Sequence, residues 1–174
     1  HPERIIALYK EWAELAKDAV RSLAAWPNAA PAAHLLELAG GSVEPALHAL
    51  AVRGAVQVTA QERDPDKRIA VLQRALTVAK RAEERRLALG QLGQIPTLPA
   101  LEVVLPYLAD PGVVNEAAAA AVGIAEKLAD AHPQTVEQAA AKILAHSQGA
   151  DIVRRASALR GKPKSGPFLR DWLV

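Results

Sequence analysis

The sequence predicts an all-α fold of about nine helices, stacked as antiparallel pairs into an α-solenoid, and three observations predict it. Alanine (38) and leucine (22) make up a third of the 174 residues, against three Trp, two Tyr and one Phe. Such a composition favours helices packed closely through small side chains. Apolar residues recur at helical spacing within segments bounded by Pro and Gly, with no period-two alternation before residue 168. The chain also resembles itself at an offset of 69, which places Ala19-Val20-x-x-Leu23-x-x-Trp26-Pro27 on Ala88-Leu89-x-x-Leu92-x-x-Ile95-Pro96, and Leu35-Leu36 on Val104-Leu105. Two units of about 34 residues fill that offset, a period typical of stacked repeats. An intermediate unit falls at Ala46 to Ala79, and a fourth begins at Asp110.

The first helix is predicted over Glu3 to Trp26, where neither Gly nor Pro intervenes. At 100° per residue, Ile5, Leu8, Trp12, Leu15, Ala19, Leu23 and Trp26 share one side, the side expected to pack; Glu11, Glu14, Lys17, Asp18 and Arg21 fall opposite. Pro27 ends it. A second helix, Pro31 to Ala39, is closed by Gly40-Gly41, and Ser42 is a candidate N-cap for a third reaching about Gln61. Asp64-Pro65 joins a capping acid to proline at the first helical position and predicts a helix through Arg81, with Ile69, Val71, Leu72, Ala75, Leu76, Val78 and Ala79 on its buried half. Glu83 to Leu92 follows, with Gly93 as C-cap. Thr97 caps a helix with Pro99 in its first turn and Pro106 ending or kinking its last. Asp110-Pro111 repeats the start signal for Val113 to Ala129. Pro133 opens the next helix, Gly149 closes it, and Asp151 to Arg160 is the last. Connections of two to six residues predict antiparallel neighbours.

With 51% hydrophobic and 23% charged residues, residues 1–160 suffice for one helical domain, followed by a Gly/Pro/Lys linker at 161–167 and, at Phe168 to Val174, the start of a following segment or domain. No apolar run is long enough to span a bilayer, and no secretory leader pattern opens the chain. Absent cysteines exclude disulfides, thiolate metal sites and a thiol nucleophile. His34, His48, His132 and His146 have no i,i+4 partner and no HExxH context, so no metal or other cofactor is expected. The carboxylate pairs Glu83-Glu84 and Asp64-Asp66 sit at helix starts and are explained as caps. No glycine-rich phosphate loop occurs; Gly90 and Gly93 are expected to permit close packing.

Leu105 to Ile124, with Leu108, Asp110-Pro111, Val113, Ala117-Ala118 and Gly123-Ile124, resembles the HEAT repeat: a hydrophobic helix end, an Asp-Pro turn, then a valine and paired alanines. The resemblance covers roughly residues 18 to 130 and implies a right-handed α-solenoid of degenerate repeats. The family usually places arginine directly after that valine, where this chain has Val114, which departs from the usual Asp and Arg ladder. Glu84-Arg85-Arg86-Leu87-Ala88-Leu89, Leu92-Gly93, Pro96 and Leu105-Pro106-Tyr107-Leu108 are similar to the helical repeat segments of large exported bacterial multidomain proteins. That likeness implies an exported or periplasmic spacer or docking module that meets another protein or a neighbouring domain of its own chain.

Formal charge is only +2, but it is unevenly spread. Residues 53–86 hold nine Lys/Arg against five Asp/Glu, and 152–170 hold six against none. Lys67, Arg74 and Arg81, with Arg85, form a candidate ridge for an acidic partner. Arg154, Arg155, Arg160, Lys162 and Lys164 form a candidate basic tail for nucleic acid or anionic lipid. Each set is equally explained by solvated helix faces and by cations at a helix C-terminus. Certain DNA glycosylases share HEAT-like architecture, but base excision asks for stacking aromatics beside a basic groove. Trp12 and Trp26 lie on the apolar arc of the first helix, Tyr9 at its edge and Tyr107 beside a proline, so core packing or protein contact is the expected use. A non-catalytic module for protein or interdomain contact is therefore expected first, nucleic-acid binding second, and glycosylase activity last.

Overall fold

Proline and short polar side chains set where the helices begin, because the first turn leaves backbone N–H groups without intrahelical partners. The computed structural model describes residues 2–160, and its regular structure there is entirely helical. The helices are α1 (Pro2–Ala24), α2 (Ala32–Gly41), α3 (Pro45–Thr59), α4 (Pro65–Val78), α5 (Ala82–Leu92), α6 (Leu98–Val104), α7 (Val114–Leu128), α8 (Pro133–His146) and α9 (Ala150–Arg160). Proline occupies the first turn of α3, α4, α6 and α8. The Asp64 carboxylate accepts from Asp66 N at 2.9 Å and Lys67 N at 3.3 Å, and Thr97 Oγ1 accepts from Ala100 N. Asp64→Ala is expected to cost about 1 kcal/mol, measured as a shift in the urea midpoint. As Pro106 dictates, α6 stops at Val104 and the chain continues as a 3-10 turn, Leu105–Ala109.

Three local expectations are corrected. Ser42 does not cap α3; it is the C-cap of α2, and its Oγ donates to the Glu44 carbonyl, because Pro45 fixes the first turn three residues later. The helix begun at Asp64 ends at Val78 rather than Arg81, and Ala79 and Arg81 are extended. Asp110-Pro111 starts no helix. Asp110 Oδ1 accepts from Gly112 N at 2.9 Å in a side-chain turn, and α7 begins at Val114.

Apart from α1 and α2, each helix packs closely on its neighbour in sequence, and beyond that the packing alternates. The odd-numbered helices touch in succession, α1 on α3, α3 on α5, α5 on α7 and α7 on α9. On the other side α2 meets α4, α4 meets α6, and the 3-10 turn meets α8. Leu35, Leu72, Leu89, Leu101, Ile124 and Ile143 are buried between the two sets. Small residues bring the odd-numbered helices close. A Cβ on Gly93 would lie 3.1 Å from Ala120 Cα, and one on Gly54 would lie 2.8 Å from Ala24 Cβ. Gly90, by contrast, faces open space, so the expected packing role belongs to Gly93 alone of that pair.

Helix α1 docks through its C-terminal half. Val20 is buried, and Ala16 and Leu23 pack partly against the core, whereas Ile5, Leu8, Trp12 and Leu15, on the same apolar arc as Leu23 but nearer the start of the helix, stay between 58% and 68% exposed. Of the core packing or protein contact expected of Trp12 and Trp26, core packing does not occur, both being exposed.

Candidate interaction surface

The sequence places Lys67, Arg74 and Arg81 on one helical stripe, and the fold divides them. Lys67 and Arg74 are exposed one above the other on α4, while Arg81 is the extended residue preceding α5. Arg74 Nη2 lies 3.9 Å from Glu37 of α2. Arg85 is half-buried, and its Nη1 donates to Asp110 Oδ2 at 2.7 Å, tying α5 to the turn before α7. Arg86 donates to the Gly112 carbonyl in the same turn. The Asp of the Asp-Pro turn thus meets an arginine from an earlier helix, not from the position after Val113. Lys67 and Arg81 make no ion pair within 4 Å among the described residues.

The basic tail is likewise drawn inward where it is described. Arg155 donates from Nε and Nη2 to both oxygens of Glu126 on α7, at 2.8 and 2.7 Å. That fork holds the Glu126 carboxyl below its ordinary value, against a smaller opposing effect of burial. Arg154 pairs with Asp151 one turn earlier, and Arg160 is exposed at the end of α9. Lys162 and Lys164, with the strand-like reading of Phe168 to Val174, lie outside the described residues.

One buried polar cluster was not anticipated as a cluster. His48 of α3 is 2% exposed, with Nδ1 donating to the Ala39 carbonyl at 2.9 Å and Nε2 lying 3.3 Å from Glu84 Oε2. The same oxygen accepts from Lys80 N at 2.8 Å and Arg81 N at 3.2 Å, which makes Glu84 the reciprocal cap of α5. Burial by itself would raise the Glu84 pKa. The two backbone N–H groups and His48 outweigh it and hold the carboxyl below its ordinary value. The cluster pins α2, α3 and α5 together, and a capping acid three residues after Arg81 is its one legible trace in the sequence.

Two surface depressions complete the description. A groove of about 530 Å³ runs between α4, α6 and the 3-10 turn, lined by Ile69, Gln73, Thr77, Glu102 and Tyr107, and burial pushes the Tyr107 phenol up. An open apolar shelf of about 510 Å³ lies along α1, formed by Ile5, Leu8, Trp12 and Leu15 with Glu11 at its rim. No group of three or more His, Asp or Glu that could hold a metal ion occurs among the described residues. None of their helices is long and apolar enough to cross a membrane. No protein-family model, curated protein or solved structure matches the chain.

Proposed function

We propose that this chain is a HEAT-like α-solenoid acting as a non-catalytic scaffold or spacer, through which a larger protein meets another protein or another of its own domains. The alternating packing supports the repeat architecture, since stacked pairs touch only nearby units. The internal offset agrees with it, pairing the end of α1 with the end of α5 and α2 with α6, and matching buried Val20 with Leu89 and Leu35 with Val104. The Asp110 to Arg85 pair supplies from α5 the support that the Asp-Pro turn lacks locally. An exported bacterial multidomain protein is the setting the sequence resemblance suggests.

A single observation carries the function: four large exposed hydrophobic side chains, Ile5, Leu8, Trp12 and Leu15, form one patch on α1, while Arg74, Arg85, Arg154 and Arg155 are engaged with carboxylates. A contiguous apolar patch marks protein contact, and cations already paired release few counterions on meeting phosphate. Lys67 and Arg81, which lack such partners, favour nucleic acid as the second reading. Fluorescence anisotropy of labelled duplex and single-stranded DNA across a salt series separates the two. No binding at low salt is the expected result. Submicromolar binding that falls steeply with salt, and is lost in Lys67→Glu/Arg81→Glu, would replace the scaffold by a nucleic-acid module. Base release from alkylated DNA would bring forward the glycosylase alternative instead.

A further inference from the structure

We infer that α1 is a self-association seam, by which two copies of this chain pair antiparallel through Ile5, Leu8, Trp12 and Leu15. The inference rests on the scaffold function above and names its partner. The four residues are spaced 3, 4 and 3 apart, the a/d spacing of a coiled-coil seam, on the N-terminal half of α1 ahead of Ala16, Val20 and Leu23, which pack on the core. With a twofold axis near Lys10, Ile5 faces Leu15 of the second copy and Leu8 faces Trp12, so one patch is its own complement. In the rows flanking that seam, two residues out of step with it, Arg4 lies across from Asp18 of the other copy at both ends and Glu11 across from Glu11 at the axis.

Area points the same way. At 58–68% exposure these four side chains present on the order of 500 Å² per copy, and two copies reach the roughly 1,000 Å² from which specific interfaces begin. An anionic lipid surface fits less well. Helix α1 carries Arg4, Lys10, Lys17 and Arg21 against Glu3, Glu11, Glu14 and Asp18, a neutral balance that offers no attraction to an anionic lipid surface.

Sedimentation equilibrium of the full 174-residue chain tests the seam. The expected result is a concentration-dependent mass approaching twice 18.4 kDa, reduced to the monomer in Leu8→Glu/Trp12→Glu with the far-UV helical signal unchanged. Arg4→Asp should weaken the dimer about twofold to fivefold, and adding Asp18→Arg should restore it; restoration identifies the antiparallel register. A wild-type chain that stays monomeric across the series overturns the seam. So does a dimer that survives the double variant, including one made through residues 168–174. The scaffold function is judged separately by its DNA titration, so a monomer that leaves DNA unbound removes the seam alone.

Discussion

Replacing Glu84 by alanine is expected to lower stability by about 3–5 kcal/mol, the largest effect of any single substitution considered for this protein. The change leaves the backbone N–H groups of Lys80 and Arg81, and His48 Nε2, without their carboxylate partner at a site nearly closed to water. It also removes the cap of α5. Urea unfolding should show a lower midpoint with an unchanged slope, as for a cooperative loss without altered unfolded-state compactness. Glu84→Gln keeps one acceptor oxygen and should cost less. Because the folded carboxyl titrates below its ordinary value of 4.5, its contribution is complete above that pH and is lost as pH falls through the lower folded value. Stability measured from pH 6 downward should therefore fall more steeply in the native chain than in Glu84→Gln. Equal slopes would mean that Glu84 titrates alike in the folded and unfolded chain.

Gly54→Val is expected to cost up to about 3 kcal/mol, with the damage confined to one end of the fold. Any Cβ at position 54 meets the Ala24 Cβ at 2.8 Å and Leu35 Cδ1 at 3.4 Å. The alanine has no rotamer with which to move aside, so α1 must lift from α3. Units in such a stack depend mainly on their neighbours, which makes the response local. Amide exchange should accelerate at Val20 to Ala24 while Leu89 to Leu92 in α5 keep their protection. Gly90→Ala is the control: its position is open, and the substitution should raise stability by up to about 1 kcal/mol. Uniform loss of protection in Gly54→Val would mean that the chain unfolds as one unit.

Several helix boundaries were legible from a cause within three or four residues. Asp64 caps α4, Thr97 caps α6, proline opens α8, and Pro106 ends α6. The same local logic failed at Ser42 and Asp110, where a nearby proline or glycine gave the polar side chain another use. The candidate surface was less legible. Position in the sequence gives the charge of Arg85 and Arg155 but not their engagement, because Asp110 and Glu126 lie 25 and 29 residues away. His48 and Glu84, 36 residues apart, became a buried pair only when α3 and α5 met.

Composition and periodicity by themselves determined that the described chain is helical, roughly where each helix begins, and that α1 has a continuous apolar arc. Those properties follow from backbone hydrogen bonding and side-chain spacing within one segment. Only the tertiary structure decided how much of that arc is covered. Apolar character alone favours burying all of it, but Leu23 packs on the core while Ile5, Leu8, Trp12 and Leu15 stay exposed, because α1 meets α3 through its C-terminal half, where Ala24 lies against Gly54. Packing follows shape as well as hydrophobicity, and the shape of the receiving surface is made by residues 30 positions further along the chain than Ala24.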